Sequence, residues 1–385
     1  MTARENEQWI ACNCLESHHN PPLISPAYLS EAETYYLRRL TSRPHHHRRC
    51  AYYLPQAPDR IREKIGNSLF EIDHPKGLFN AHKQAPEKLA TQPNETEQDD
   101  RSRGVAIPRL GKLMWMLLEA AHTNVLREPR HERENPPSLK REFARISAAA
   151  ERFAIAPRIW LRDHLYFTVK DYESLRIHAR LREAARKWPD GNAPQAFVLL
   201  EANAISGTTI HTGLGDLEIR NRIQHTGIIR AEVQPPFLVL AVVGEHSKKE
   251  GYRALRAYAQ PVFKGNRFIP VEREIDRHLL SELIVFQRQM NERNVQVAVK
   301  KPLFNFPTSA GAIRPDLIVA FLDHRTGLEA DFAIQILASG DPHYLEMKQA
   351  ERAQLLEVHP TLTVRADLVG TDKFQGHLEA MIEDA

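Results

Sequence analysis

Toward the C-terminal end an acid opens one apolar run, a polar residue sits inside the next, and a lysine follows soon after. The stretches read Arg314-Pro315-Asp316-Leu317-Ile318-Val319-Ala320-Phe321-Leu322, then Ala333-Ile334-Gln335-Ile336-Leu337, then Tyr344-Leu345-Glu346-Met347-Lys348. Oxygen ligands fixed on neighbouring strands hold a hard divalent cation, and a lysine beside them steadies an attacking water or the charge on a phosphate. Asp316 fits the metal-holding acid, Gln335 a neutral oxygen donor, and Lys348 the positioning cation. Asp276, farther upstream, is placed to add an outer carboxylate. The expected ion is Mg2+ or Mn2+, and the expected chemistry is phosphodiester hydrolysis. Against this stands a plainer account: Asp is common at strand starts because it caps and turns well, and a lone helix lysine is usually solvated.

A second cluster lies near the N-terminus, where Cys12-Asn13-Cys14 is followed by His45-His46-His47-Arg48-Arg49-Cys50. Thiolates and imidazole are the ligands of tetrahedral Zn2+. Cys12, Cys14, His46 and Cys50 make a full set and use all three cysteines of the chain. Spacing alone does not decide among His45, His46 and His47, and His18 and His19 are further candidates. A metal would hold together a segment too short to fold on its own core. Around it Arg38, Arg39, Arg43, Arg48 and Arg49 alternate with Tyr35, Tyr36, Tyr52 and Tyr53. Guanidinium groups reach phosphates and tyrosines stack on bases, so this is the expected nucleic-acid surface. A solvated basic face over a small tyrosine-covered core is the alternative.

These residues need elements to hold them. The pattern implies an α+β, multi-domain chain: a zinc-binding segment over 1–60, a linker over 61–107, a helical module over 108–170, a β-rich module over 171–265, and a last domain over 266–385. The linker contains QAPEKLATQPNETEQDDRSRG (84–104), which is too polar to build a core. In the helical module Leu110, Leu113, Met114, Leu117 and Leu118 recur at helical steps, and a second helix is expected from Ser138 to Phe153. The short apolar bursts that follow allow either a winged helix or a small helical spacer. Phe197 to Leu200 and Phe237 to Val243 suit a buried sheet.

The last domain begins with a helix from Glu272 to about Met290, striped by Ile275, Leu279, Leu283 and Phe286. Strand-like runs follow at Val295 to Phe304, Pro315 to Leu322 and Ala330 to Leu337, then a helix from Pro342 to about Val358 and a strand from Thr361 to Leu368. The order α-β-β-β-α-β resembles the common core of the restriction-endonuclease-like, or PD-(D/E)xK, nuclease fold. In that pattern a carboxylate usually stands where Gln335 is, and the lysine two residues later; here the lysine sits on the next helix.

Most of the chain also resembles a bacterial family of uncharacterised proteins often carried on plasmids and other mobile elements. The likeness runs from Cys12 and Cys14 through Tyr36-Leu37-Arg38-Arg39-Leu40 and Cys50-Ala51-Tyr52-Tyr53 to Leu110-Gly111-Lys112-Leu113 and Leu118-Glu119-Ala120-Ala121. It continues through Gly244-Glu245-His246-Ser247-Lys248 and Phe268-Ile269-Pro270-Val271-Glu272 to Arg314-Pro315-Asp316 and Asp341-Pro342-His343-Tyr344-Leu345-Glu346-Met347-Lys348. The resemblance implies the nuclease-like fold but supplies no activity. In that family the third strand carries Glu, where this chain has Gln335.

Composition narrows the rest. With 385 residues, 42% apolar and 26% charged, the chain has core enough for several domains. A net charge of +3 makes any nucleic-acid surface local rather than global. The longest apolar run, Phe237 to Gly244, is too short to cross a bilayer. The polar first residues carry no secretory signal, and the expected compartment is the cytoplasm, with no membrane partner. No glycine loop of Walker or dinucleotide type is present. Two readings remain: a DNA-associated protein of mobile-element type with a divergent metal-dependent nuclease-like domain, or a non-catalytic DNA-binding or assembly module in plasmid transfer or maintenance.

Overall fold

The computed structural model describes residues 9–15, 21–29, 34–39, 46–47, 50, 52, 109–127, 136–156, 158–188, 193–225, 233–247, 249–309 and 311–384. The expected linker over 61–107 lies outside them. The chain divides into two units, Met1–Arg60 and Ile61–Ala385.

In the first unit β1 (Ile10–Ala11), β2 (Leu23–Leu29) and β3 (Thr34–Arg39) form an antiparallel sheet in that order. Ile10 pairs with Ile24 and Ala11 with Leu23, which sets the Cys-x-Cys turn directly after the β1 edge. Ile24 is buried, and three strands this short offer few positions from which to build a core. That is the situation in which a bound metal contributes folding energy.

The second unit starts with α1 (Arg109–Ala120), β4 (Val125–Leu126) and α2 (Leu139–Ala150). Ser138 caps α2, its hydroxyl accepting from the Arg141 N–H. The short β5 (Ala154–Ala156) and β6 (Ile159–Trp160) pair, and β7 (Leu165–Tyr166) leads into α3 (Val169–Glu173) and α4 (Arg176–Ala184). Next come β8 (Gln195–Ala202), β9 (Ala204–Ser206), β10 (Thr209–Thr212), β11 (Gly215–Glu218) and β12 (Arg222–His225). The long strands β13 (Phe237–Ser247) and β14 (Gly251–Lys264) follow, with β15 (Arg267–Pro270) after them.

β12, β14, β13, β8 and β7 pair in that order, with β15 on β14. β8 and β13 read as continuous apolar runs because both faces of this sheet are covered. One face sets Phe197, Leu199, Leu238 and Leu240 against Leu113, Trp115 and Leu117 of α1 and Ile146 of α2. The other sets Val198, Leu200, Val239 and Ala241 against Ile177 and Leu181 of α4 and Ile210 of β10. The helices of 108–170 thus share one core with the sheet, and the arrangement of a winged helix is not shown. Within that core the fully buried Gln260 accepts from Trp115 Nε1 at 3.0 Å and donates to the Val271 carbonyl at 3.0 Å, so the amide is satisfied.

The last part comprises α5 (Glu274–Glu292), β16 (Val295–Lys300), β17 (Phe306–Thr308), β18 (Gly311–Ile313), β19 (Leu317–Asp323), β20 (Leu328–Leu337), α6 (Pro342–Leu355), β21 (Thr361–Arg365) and α7 (Asp372–Glu383). Its sheet runs β21-β20-β19-β16-β4, antiparallel except for the β20–β21 pair, which α6 connects as a crossover. α5 and α7 bury Leu279, Leu283, Phe286, Phe374 and Leu378 against Val297, Val319, Ile334 and Ile336. The edge strand β4 arrives from far upstream. The fully buried Asn124 fixes it there, its side-chain Nδ2 donating to the Lys301 carbonyl at 2.8 Å while its backbone carbonyl accepts the Lys301 N–H at 2.9 Å.

Candidate functional site

In the first unit the turn after β1 carries Cys12 and Cys14, and His46 and Cys50 come from beyond β3. Their ligand atoms lie within 4.8 Å of one another. Cys14 Sγ is 3.5 Å and Cys50 Sγ 3.4 Å from His46 Nδ1, and the sulfurs of Cys12 and Cys50 are 3.7 Å apart. Around a zinc ion about 2.3 Å from sulfur and about 2.0 Å from nitrogen, tetrahedral angles separate two sulfurs by about 3.8 Å and sulfur from nitrogen by about 3.5 Å. The observed edges match that figure, so the donor set fits a tetrahedral metal.

Main-chain amides reinforce the cluster: His47 N–H points at Cys14 Sγ at 3.3 Å and Tyr52 N–H at Cys50 Sγ at 3.5 Å. Such contacts stabilise thiolates and orient ligands from outside the coordination sphere. A turn in which Cys50 N–H donates to the His47 carbonyl at 2.8 Å brings Cys50 back to His46. His46 is the histidine in the cluster, which spacing could not decide. Among the arginines expected around it, Arg38 and Arg39 lie on β3, while Arg43, Arg48 and Arg49 lie outside the described residues.

In the second unit Asp316 stands one residue before β19. Its N–H donates to the Ile334 carbonyl at 3.1 Å, and its Oδ2 accepts the Ile336 N–H at 2.8 Å. The side chain is therefore fixed to β20 on both sides of Gln335. Its Oδ1 accepts from Arg273 Nη2 at 3.1 Å. The same guanidinium donates to Asp276 Oδ1 through Nη2 at 2.8 Å and Nε at 3.1 Å. Asp276 Oδ2 accepts the backbone N–H groups of Glu272 and Arg273 at 3.0 and 3.2 Å, closing the first turn of α5. Burial works against the charge on Arg273, but Asp276, Asp316 and Glu272 outweigh it and raise its pKa further above the ordinary arginine value.

Neighbouring charges complete this knot. Lys301 Nζ is 3.9 Å from Asp276 Oδ2. Arg314 pairs with Glu272, donates to the Leu303 carbonyl at 3.2 Å, and lies 5.2 Å from the centre of the Trp115 ring. Arg273, Lys301 and Arg314 answer Glu272, Asp276 and Asp316 charge for charge. Sequence reasoning missed these three cations. The available signal was the placement of Arg273 just ahead of the α5 stripe and of Arg314 just ahead of Pro315-Asp316.

Gln335 lies on β20, where its Nε2 donates to the Lys348 carbonyl at 3.0 Å and its Oε1 accepts from Thr363 Oγ1 at 3.3 Å. This position calls for a group that donates as well as accepts, which an amide does and a carboxylate does not. Lys348 Nζ donates to Glu351 Oε2 at 2.7 Å and sits 5.6 Å over the Tyr344 ring. Lys348 is only 3% exposed, so the inner stripe of α6 carries an ion pair where apolar residues would be usual. The Tyr344 hydroxyl donates to the Ile336 carbonyl at 3.3 Å.

The structure therefore ties Asp316 to Asp276 through Arg273, and Gln335 to Lys348 through the α6 backbone. As a site for Mg2+ or Mn2+ this arrangement fits poorly. Both carboxylates already face a guanidinium, and the third oxygen belongs to an amide whose nitrogen is committed.

Three family models match segments of the chain. Residues 1–56 match the model of a domain of unknown function (DUF8534), and residues 71–262 match that of another (DUF8535). No curated protein and no solved structure matches the chain. Residues 272–381 match the model described as "Restriction endonuclease-like C-terminal domain", and the elements α5 to α7 are a domain of that kind.

Proposed function

We propose that this is a DNA-associated protein whose restriction endonuclease-like domain binds rather than cuts. The observation that carries the reading is the Arg273 guanidinium set between Asp276 and Asp316, where a hydrolytic domain of this kind would hold its divalent ion. An internal cation in that place keeps the carboxylates neutralised and the strand ends in register without a metal. The Gln335 amide points the same way, since it is held by Lys348 and Thr363 as a structural group. The N-terminal cluster of Cys12, Cys14, His46 and Cys50 serves as a structural Zn2+ site. Arg38 and Arg39 on β3, with Arg43, Arg48 and Arg49, supply phosphate contacts. In this reading the protein works in the cytoplasm, in the transfer or maintenance of a mobile element.

One observation favours hydrolysis as a second reading. Asp316, just ahead of β19, accepts the Ile336 N–H of β20, and Gln335 of that strand donates to the Lys348 carbonyl of α6, so the three flank one stretch of β20, as phosphodiester cleavage would need. Cutting would then require Arg273 to leave Asp316.

The test is to incubate the full chain with Mn2+ and labelled single-stranded, duplex and branched DNA, beside an Asp316→Asn variant, and to titrate the same DNAs by fluorescence anisotropy over a range of salt. Binding with a steep salt slope and no cleavage by either protein supports the binding module. Cleavage by the parent that disappears in the variant overturns it in favour of the nuclease.

A further inference from the structure

The hairpin of β5 and β6 presents an exposed tryptophan and a strained arginine, and neither belongs to the sites described above. Ala154 pairs with Trp160 and Ala156 with Ile159, and the Leu161 N–H donates to the Phe153 carbonyl at 2.8 Å to close the base. Ile155, Ala156 and Ile159 are buried in the core shared with α1 and α2, which anchors the hairpin. Trp160 is instead 46% exposed, and its cross-strand partner Ala154 is too small to cover an indole.

Arg158, at the tip between Ala156 and Ile159, has a φ of 65°. Left-handed backbone is costly for a residue with a Cβ and free for glycine. Arginine is thus the poorer choice for the turn itself, and strain of this kind points to a use for the side chain.

The acids of this surface, Glu151 and Asp163, both meet Arg162, at 3.2 and 3.5 Å. Arg152 and Arg158 are exposed and make no ion pair among the described residues. Arg158 stands toward the tip from Trp160, and Arg152 toward the base from Ala154, so Trp160 lies between them along the hairpin, about 7 Å from each along the strand direction. The adjoining groove offers no comparable pair, since its Arg176 and Arg180 are held by Asp171 and Glu183 at 2.9 and 3.1 Å.

We infer that the β5–β6 hairpin is a contact surface for single-stranded nucleic acid, with Trp160 stacked on an unpaired base and Arg152 and Arg158 on the flanking phosphates. A ring held on a rigid hairpin stacks only on a base whose face is free, which the interior of a duplex does not offer. Two guanidinium groups and one ring suffice, and no charge surplus over the surrounding surface enters. The proposal rests on the DNA-associated reading above and gives it a second contact surface, in the larger unit.

Of the four tryptophans Trp115 and Trp188 are buried, so in a Trp9→Phe background Trp160 is the exposed indole that a ligand can reach. The test is to titrate that full chain with a short oligothymidylate and with a duplex of the same length, following tryptophan emission and, with labelled DNA, anisotropy over a range of salt. Quenching by the single strand at lower concentration than by the duplex is expected. Trp160→Ala should weaken single-strand binding about tenfold, and Trp160→Phe should recover part of it. Arg158→Gly should weaken binding and lower the salt slope by about 0.7, yet lose no stability in urea because the turn is relieved. If the parent binds DNA and neither Trp160→Ala nor Arg158→Gly changes its affinity, the hairpin is not the contact, and the DNA-associated reading stands without it. If the parent binds no DNA, both fall. Duplex binding as tight as single-strand binding, with the same quenching, overturns the assignment to a single strand.

Discussion

Arg273 Nη2 lies 3.1 Å from Asp316 Oδ1, and the contact joins the first turn of α5 to the start of β19. The same nitrogen holds Asp276 at 2.8 Å. Truncating one member of a buried charge cluster leaves the others uncompensated, at a cost of about 3–5 kcal/mol. Arg273→Ala should lose stability on that scale in urea unfolding. The variant should also gain a property: with the guanidinium gone, Asp276 and Asp316 can share a divalent ion, and millimolar Mn2+ should restore part of the loss. If Mn2+ stabilises the parent as much as the variant, Arg273 is not what stands in for the metal.

Gln335 donates to the Lys348 carbonyl at 3.0 Å. In Gln335→Glu two acceptors would face each other there, with an expected cost of about 1–3 kcal/mol. That substitution restores the acid usual at this position, so it separates loss of catalysis from loss of fit. A destabilised variant that still fails to cleave DNA with Mn2+ is the expected outcome. Cleavage appearing in Gln335→Glu would mean that the rest of the site is intact and poised for hydrolysis.

The parts of the fold that were readable are those with long, one-sided apolar patterns. Leu110, Leu113, Met114, Leu117 and Leu118 are all buried on α1, and Leu279, Leu283 and Phe286 on α5. The longer helices and strands from α5 to β21 were readable in the same way, whereas the hairpin of β17 and β18, three residues a strand, was not expected. β4 was not readable, since two residues have no period and become a strand only by pairing Leu126 with Val299 and Val125 with Lys300. α7 has only Phe374 and Leu378 buried, too few to mark a stripe. At the site, Asp316, Gln335 and Lys348 were visible through chemistry and spacing. Arg273 was not, because a charged residue ahead of a helix looks solvated until tertiary structure places Asp316 beside it. His46 was the expected ligand among three adjacent histidines, and its place in the cluster with Cys12, Cys14 and Cys50 agrees with that reading.

The N-terminal cluster should bind one Zn2+ per chain by elemental analysis. Structural zinc contributes about 10–16 kcal/mol of apparent binding free energy in small zinc-dependent folds, and β1 to β3 are short strands. Cys14→Ser and His46→Ala should each lower the zinc content. Chelation should expose residues 1–60 to rapid proteolysis while the folded elements from α1 to α7 resist. Full protection of this segment after complete zinc removal would contradict a structural role.

Two histidines in the larger unit give stability a pH dependence of definite sign. His164 is buried against Trp188 with ring centroids 5.1 Å apart, and His178 lies 5.0 Å from Tyr172. Burial is the main force pushing both pKa values down. For His164, Asp163 opposes the shift and Arg180 adds to it; for His178, Arg253 and Arg182 add. A histidine whose folded pKa is depressed is neutral in the folded state and takes its proton on unfolding. Its contribution is therefore fully present above the unfolded value of about 6.5 and is lost as pH falls through the folded value. Urea unfolding should show lower stability at pH 5.5 than at pH 7.5, with part of the difference removed in His178→Gln. Carboxylates at their ordinary values near 4 change little in this window, and Glu142 and Glu201, which burial raises, act in the opposite sense to the histidines. Equal stability at the two pH values would mean that these rings are hydrated enough to charge within the fold.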